Sequence, residues 1–131
     1  MGTILVIDDQ PELRQLFQRV LEHQGHRVVC AGNGQEGLRA LESWPAELVL
    51  LDMAMPEMDG LSFLRVLRQQ PRWKDLPVII LSGLMSPEQV AAASALGAAD
   101  QLVKAQFSMR ELRALVSRHL ASSPATSIPA A

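Results

Sequence analysis

Five short apolar segments alternate along the chain with segments whose apolar residues have helical spacing. Three of the five are continuous apolar runs rich in β-branched residues, and each ends at polar residues. Runs of this kind are typical of strands that are buried on both faces of a parallel sheet. The predicted strands are Thr3–Ile7, Arg27–Ala31, Glu47–Leu51, Pro77–Leu81 and Gln101–Val103, and the pattern is weaker in the second and the fifth.

The segment between the first two strands has the clearest helical pattern. Its apolar residues follow the spacing i, i+3, i+4, i+7 and i+8, which places them along one side of a helix. Pro11 stands near its start, where the missing N–H costs no hydrogen bond, and Gly25 lies just past its end, where a left-handed cap is expected. In the last segment, Ser108 and Glu111 have the spacing of a capping box. The predicted helices are Leu13–Leu21, Gln35–Ser43, Leu61–Gln69, Pro87–Leu96 and Met109–Leu120.

Strand and helix therefore alternate five times with short connections. This order predicts an α/β fold in which a doubly wound parallel sheet of five strands has helices on both faces, a three-layer sandwich. The folded domain is expected to span residues 1–121. Residues 122–131 have no periodicity and contain two prolines, so they are expected to form a flexible tail or the stump of a linker.

Composition fits one globular domain and argues against several classes of function. The chain has 131 residues, of which 48% are hydrophobic and 20% charged, so it can bury a sizeable core. Its net charge of −2 offers no basic surface to nucleic acid, and no apolar run is long enough to span a bilayer. Cys30 is the only cysteine, which excludes an intrachain disulfide. We therefore expect a cytoplasmic protein that binds neither nucleic acid nor membrane directly.

Polar residues follow four of the predicted strands, at the edge where open parallel sheets bind ligands. Asp8 and Asp9 follow the first strand, Asp52 the third, Ser82 the fourth and Lys104 the fifth. Three carboxylates brought together repel one another and need a cation, and Mg²⁺ fits as a hard ion that prefers oxygen ligands. A hydroxyl and an ammonium beside them suit a phosphoryl group, for which a carboxylate is a possible nucleophile.

Each of these residues also has a simpler interpretation. An Asp pair after a strand is often a helix N-cap, and an Asp that closes a strand is common in turns. Ser82 and Lys104, taken singly, are ordinary loop residues. The interpretation as a site depends on agreement, because all five residues are predicted to lie at one edge of the sheet.

The order of these residues resembles that of the receiver domains of two-component response regulators. The resemblance extends over residues 3–121, and its most specific part is the segment around Asp52. It implies a flavodoxin-like, CheY-like (βα)5 fold and a protein that is not a turnover enzyme but catalyses only its own phosphorylation and dephosphorylation. The motifs that carry it are Asp8-Asp9, Asp52-Met53-Ala54-Met55-Pro56-Glu57-Met58-Asp59-Gly60, Ser82-Gly83 and Lys104.

The resemblance also implies a role for each residue of the site. Asp52 would accept a phosphoryl group from the phosphohistidine of a histidine kinase or a phosphotransfer protein. Mg²⁺ would be held by Asp8, Asp9, Asp52 and the backbone carbonyl of Ala54, while Ser82 and Lys104 would bind the phosphoryl group. The kinase would dock near the first helix and the loop after strand five. A downstream protein would bind the face formed by helix four, strand five and helix five, and a homodimer is an open alternative.

Two positions depart from the family's usual pattern. Ala105 follows Lys104 where the family usually has proline, and because a non-proline cis bond costs about 2.5–4 kcal/mol, a trans bond is expected. Gln101 stands where the family commonly has Tyr or Phe, and would be only a polar substitute in a phosphorylation switch. Ala54 and Leu84, which flank the site, cannot orient a water molecule by side-chain hydrogen bonds, which predicts slow loss of the phosphoryl group.

These departures leave two alternatives to a phosphorylation switch. One is a receiver-like interaction module that has weakened or lost phosphorylation-dependent switching. The other is an independent enzyme such as a phosphatase or a nucleotide-binding protein, although no Gly-rich phosphate loop follows the first strand. The methionines near Asp52, namely Met53, Met55 and Met58, are expected to form an apolar rim around the site.

Overall fold

A computed structural model describes residues 2–55, 58–83, 85–104 and 106–121 of the chain. One parallel sheet of five strands lies at its centre. The strands are β1 (Thr3–Ile7), β2 (Arg27–Ala31), β3 (Leu48–Asp52), β4 (Val78–Ser82) and β5 (Asp100–Val103). The helices are α1 (Pro11–His23), α2 (Gly34–Ser43), α3 (Gly60–Gln69), α4 (Pro87–Ala95) and α5 (Met109–Ala121), and a 3-10 turn at Pro71–Trp73 follows α3.

The strand order β2-β1-β3-β4-β5 explains where a site can form. The chain runs outward from β1 to β2 and then returns to the other side of β1 to build β3. A crevice therefore opens between the carboxyl ends of β1 and β3, where the loops that follow them turn in opposite directions. The register aligns Ile7 with Leu51, so the residues that follow, Asp8 and Asp52, end adjacent strands at the same level.

Alternate residues of the strands build a hydrophobic core on each face of the sheet. On one face, Leu5, Ile7 and Leu51 pack with residues of α2, α3 and α4. On the other, Val6 and Leu50 pack with residues of α1 and α5. β3 and β4 are buried along their whole length, as expected of strands covered on both faces.

The fold class and the order of elements predicted from the sequence are confirmed, and the ends of strands and helices differ by only a few residues. Gly25 has a φ of 94°, the left-handed conformation expected after α1. The capping box at the start of α5 is present, since Ser108 Oγ accepts from Glu111 N and Glu111 Oε1 from Ser108 N. The expected tail at residues 122–131 lies outside the described residues, and the domain boundary at 121 stays a prediction. Within the described ranges, no helix is long and apolar enough to cross a membrane.

The structure contradicts the predicted methionine rim and shows which apolar residues of α1 are buried. Leu16 is 38% exposed, because the contact of α1 with the sheet centres on Phe17 and Leu21, and Leu16 lies about 100° around the helix from Phe17. Met53 and Met55 do not form a rim around the site but are buried in the core beside α3. The loop folds inward there because Gly60 N donates a hydrogen bond to Met53 O.

Candidate functional site

Two buried carboxylates lie side by side at the crevice between β1 and β3. Asp8 is 0% exposed and Asp52 is 1% exposed, whereas Asp9, the next residue in the chain, is exposed. One oxygen atom from each of the three carboxyl groups lies within 4.8 Å of the others. The Asp pair does not cap α1, because the N-cap position of that helix is Gln10.

Each buried carboxylate has one oxygen that accepts a backbone hydrogen bond. Asp8 Oδ1 accepts from Gln10 N at 2.9 Å, and Asp52 Oδ1 accepts from Ala54 N at 3.3 Å. The second oxygens, Asp8 Oδ2 and Asp52 Oδ2, are buried and accept no hydrogen bond from any described residue. Buried charged oxygens without donors are costly, so both atoms are suited to an additional ligand.

Lys104 supplies a positive charge between the two buried carboxylates. Its Nζ lies 3.2 Å from Asp8 Oδ2 and 3.1 Å from Asp52 Oδ1. The first of these contacts is an ion pair without hydrogen-bond alignment, since Asp8 Oδ2 is among the oxygens that lack a donor. The backbone places the side chain there, because Lys104 N donates to Ser82 O and so extends the pairing of β5 with β4.

The charges at the site do not balance. Burial raises the pKa of Asp52 to about 6; the contact with Lys104 opposes this rise, and the charge of Asp8 adds to it. With three carboxylates and one ammonium, the ionised site is formally negative. Lys104 offsets only one of the three carboxylate charges. A bound cation would offset the repulsion that remains between the carboxylates.

The remaining predicted residues lie around this cluster. Ser82 is buried at the end of β4, one residue beyond the partner of Asp52, and its Oγ donates to Gly83 O at 3.0 Å. Ala54 is exposed two residues after Asp52. Gln101 is exposed on β5 and lines an open groove of about 190 Å³ between α4 and β5. The Lys104–Ala105 peptide bond, Pro56 and Leu84 involve residues outside the described part of the chain.

Sequence reasoning missed two polar side chains that support the site. Arg14 Nη1 donates to Asp8 O at 2.7 Å and so fixes the backbone of the acidic pair. Gln10 Oε1 lies 3.4 Å from Lys104 Nζ. Arg14 and Gln10 follow the Asp pair within one and a half helical turns, and this closeness in sequence was the available signal. The contact of Gln10 with Lys104 joins residues 94 positions apart, so it has no local sequence pattern.

Comparison with known proteins identifies this arrangement. The sequence matches the family described as response regulator receiver domain over residues 4–117. The chain belongs to this family. The resemblance inferred from the motifs is therefore confirmed, and the domain is a two-component response regulator receiver.

Relatives of this receiver domain occur in proteins of different length and output. It is 33% identical to a probable chemotaxis protein CheY of Rhizobium etli, covering 86% of this chain and 88% of that protein. It is 35% identical to the KDP operon transcriptional regulatory protein KdpE of Escherichia coli, covering 98% of this chain and 56% of that one. It is 36% identical to a probable cyclic di-GMP phosphodiesterase of Vibrio cholerae, covering 90% of this chain but only 26% of that protein.

Solved structures of receivers have the same architecture. Chemotaxis protein CheY4 of Vibrio cholerae superposes with a TM-score of 0.84 at 30% identity, covering 90% of this chain and 98% of that one. The receiver domain of a signal transduction histidine kinase from Syntrophus aciditrophicus gives the same TM-score at 33% identity, covering 92% and 91%. The flavodoxin-like (βα)5 fold expected from the sequence is thus confirmed.

Proposed function

We propose that Asp52 of this receiver accepts a phosphoryl group from the phosphohistidine of a histidine kinase or a phosphotransfer protein. The observation that carries the proposal is the state of its carboxylate: Oδ1 is held by Ala54 N and Lys104 Nζ, while Oδ2 has no donor among the described residues. A carboxylate fixed at one oxygen and unengaged at the other is well placed to act as a nucleophile.

In the proposed transfer, a bond forms between an Asp52 carboxylate oxygen and phosphorus as the bond between phosphorus and the histidine nitrogen breaks. The imidazole nitrogen keeps the electron pair of the broken bond, and Asp52 becomes an acyl phosphate. The ammonium of Lys104 and the hydroxyl of Ser82 stabilise the negative charge on the phosphoryl oxygens. For Ser82 this means that its hydroxyl turns away from Gly83 O, to which it now donates.

The acidic cluster fits Mg²⁺. The residues that would hold the ion are Asp8, Asp9 and Asp52, together with the backbone carbonyl of Ala54. Hard oxygen ligands, formal negative charge and the orphaned atom Asp8 Oδ2 support this assignment. The ion would supply charge neutralisation to the transferring phosphoryl group.

Phosphorylation is proposed to change the affinity of the domain for a downstream protein that binds the face formed by α4, β5 and α5. One observation favours the alternative of an interaction module without such switching: Gln101, at the position of the family's usual aromatic residue, is exposed on that face. The domain itself is proposed to turn over no separate substrate. Its cytoplasmic location stays a prediction, and a homodimer stays an open alternative.

Intact mass spectrometry after incubation with Mg²⁺ and acetyl phosphate tests the proposal. We expect one phosphoryl adduct that is stable in acid and labile in base, that requires Mg²⁺, and that is absent in Asp52→Asn. Asp59→Asn is the matched control, because Asp59 is an exposed cap of α3 and its substitution leaves the acidic cluster intact. No adduct at saturating donor would sink the proposal and favour the interaction module, and an adduct that persists in Asp52→Asn would refute the assignment of Asp52.

Loss of the phosphoryl group to water is expected to be slow. Ala54 is exposed beside Asp52, and its methyl group cannot orient an attacking water molecule. Ala54→Gln adds an amide that can do so, and we expect it to shorten the lifetime of the adduct several-fold without changing the melting temperature. The measurement is adduct mass against time after removal of the donor, and a longer lifetime in Ala54→Gln would contradict the prediction.

A further inference from the structure

The ammonium of Lys104 has three polar neighbours. Besides Asp8 Oδ2 at 3.2 Å and Asp52 Oδ1 at 3.1 Å, its Nζ lies within hydrogen-bond distance of Gln10 Oε1, at 3.4 Å. An ammonium carries three N–H donors. Gln10 Oε1 is the neutral group among these three neighbours, and the contact with Asp8 Oδ2 is an ion pair without hydrogen-bond alignment.

Gln10 occupies a position where a different residue would stabilise the helix. It is the N-cap of α1, with φ −91° and ψ 110°, but its side chain makes no capping hydrogen bond. Ser, Thr, Asp or Asn at an N-cap contributes about 0.5–2 kcal/mol, which glutamine here does not provide. Its carboxamide extends instead across the crevice to the end of β5, while its backbone N donates to Asp8 Oδ1.

We infer that Gln10 is a positioning residue for Lys104. By accepting one N–H, the carboxamide fixes the rotation of the ammonium and holds Nζ beside the two buried carboxylates. Gln10 thereby contacts both groups: its backbone N donates to Asp8 Oδ1, and its side-chain Oε1 accepts from Lys104 Nζ. The inference deepens the proposed function and rests on it. Its consequence is that phosphoryl transfer slows when the ammonium of Lys104 is misdirected.

A double-mutant cycle on phosphorylation tests whether Gln10 acts through Lys104. Gln10→Met keeps the length of the side chain and removes the acceptor, so we expect adduct formation from acetyl phosphate to slow by roughly three- to tenfold. Lys104→Met should be slower still, and the double variant no slower than Lys104→Met alone, because the acceptor has then lost its donor. Gln15→Met, at an exposed glutamine of α1, is the matched control and should react at the wild-type rate. Effects that multiply in the double variant would overturn the inference.

A second measurement addresses the resting protein and needs no phosphorylation. Lys104 and Lys74 are the only lysines, so protein labelled with ¹⁵N at lysine Nζ gives at most two ammonium signals, and the exposed Lys74 serves as an internal reference. We expect the protons of Lys104 to exchange with water several-fold faster in Gln10→Met, with Lys74 unchanged. Unaltered exchange at Lys104 would overturn the inference, whereas failure of wild-type protein to form an adduct would overturn only the proposed phosphorylation.

Discussion

Asp52→Asn is expected to stabilise the metal-free protein above pH 6. Burial raises the pKa of Asp52 to about 6, against about 3.9 in an unfolded chain. Below pH 4 both states carry the proton, so the group imposes no cost on folding. The cost develops as pH rises from 4 to 6, because the unfolded state ionises first, and it is fully present above pH 6. Asparagine has a similar shape without the charge, and should recover about 1–3 kcal/mol at pH 8, which corresponds to several degrees in melting temperature.

Thermal unfolding in the presence of a chelator, at intervals from pH 4 to pH 8, measures this effect. The difference between Asp52→Asn and wild type should be near zero at pH 4 and should reach its maximum above pH 6. Asp59→Asn is a control of opposite sign, because the hydrogen bond from Ser62 N lowers the pKa of Asp59 and its charge therefore stabilises the fold above pH 4. If Asp52→Asn is less stable than wild type at pH 8, the ion pair with Lys104 outweighs the cost of burying the carboxylate, and the prediction is wrong.

Mg²⁺ should stabilise wild type more than Asp52→Asn. A ligand that binds only the folded state raises its stability in proportion to the logarithm of its concentration, and the neutral amide of asparagine is a weaker ligand for Mg²⁺ than a carboxylate. Addition of Mg²⁺ at pH 8 is therefore expected to raise the melting temperature of wild type more than that of Asp52→Asn. An equal rise in both proteins would argue against Asp52 as a ligand.

Arg68→Ala is expected to cause a large loss of stability at a distance from the site. The guanidinium of Arg68, on α3, donates to four backbone carbonyls: those of Trp73 at the end of the 3-10 turn and Leu76 after it, and those of Leu96 and Gly97 after α4. Partial burial lowers the pKa of Arg68, yet arginine stays charged in proteins. Hydrogen bonds from a charged donor are among the stronger ones, and Arg68→Ala removes all four at once, so we expect a loss of about 2–4 kcal/mol.

Urea unfolding of Arg68→Ala, Arg68→Lys and Arg65→Ala tests this role. Lysine should recover less than half of the loss, because a single ammonium cannot reproduce the planar fork of donors. Arg65 is exposed on the same helix, and its removal should change stability by no more than about 0.5 kcal/mol. Wild-type stability in Arg68→Lys would show that charge rather than geometry matters at this position.

Strand burial and the position of the site could be predicted from the sequence, whereas contacts that long side chains make across the fold could not. The strands could be predicted because continuous apolar runs such as Val78-Ile79-Ile80-Leu81 are buried on both faces, and the site could be predicted because a parallel sheet brings the ends of its strands to one edge. The phosphate chemistry proposed at Asp52 needs acidic and basic residues at those ends, and these are visible in the sequence.

Contacts made by long polar side chains across the fold could not be predicted in this way. In the sequence, Arg68 is typical of a solvated arginine on a helix, and Gln10 is an ordinary residue at a helix start. Their roles depend on tertiary contacts, which Arg68 makes with backbone carbonyls and Gln10 with the ammonium of Lys104. The burial of Met55 and the exposure of Leu16 likewise depend on how a loop and a helix are tilted against the sheet, which hydrophobic spacing does not specify.

The cluster of Asp8, Asp9, Asp52 and Lys104 also accounts for the formal net charge of the molecule. Its formal charge equals the −2 of the entire chain, because the other eleven acidic and eleven basic residues cancel. One bound divalent cation would therefore leave a formally neutral molecule with little long-range field. Since charges beyond about 8 Å are screened at physiological salt, a partner would be selected by the local pattern of charges where it docks rather than by steering from a distance.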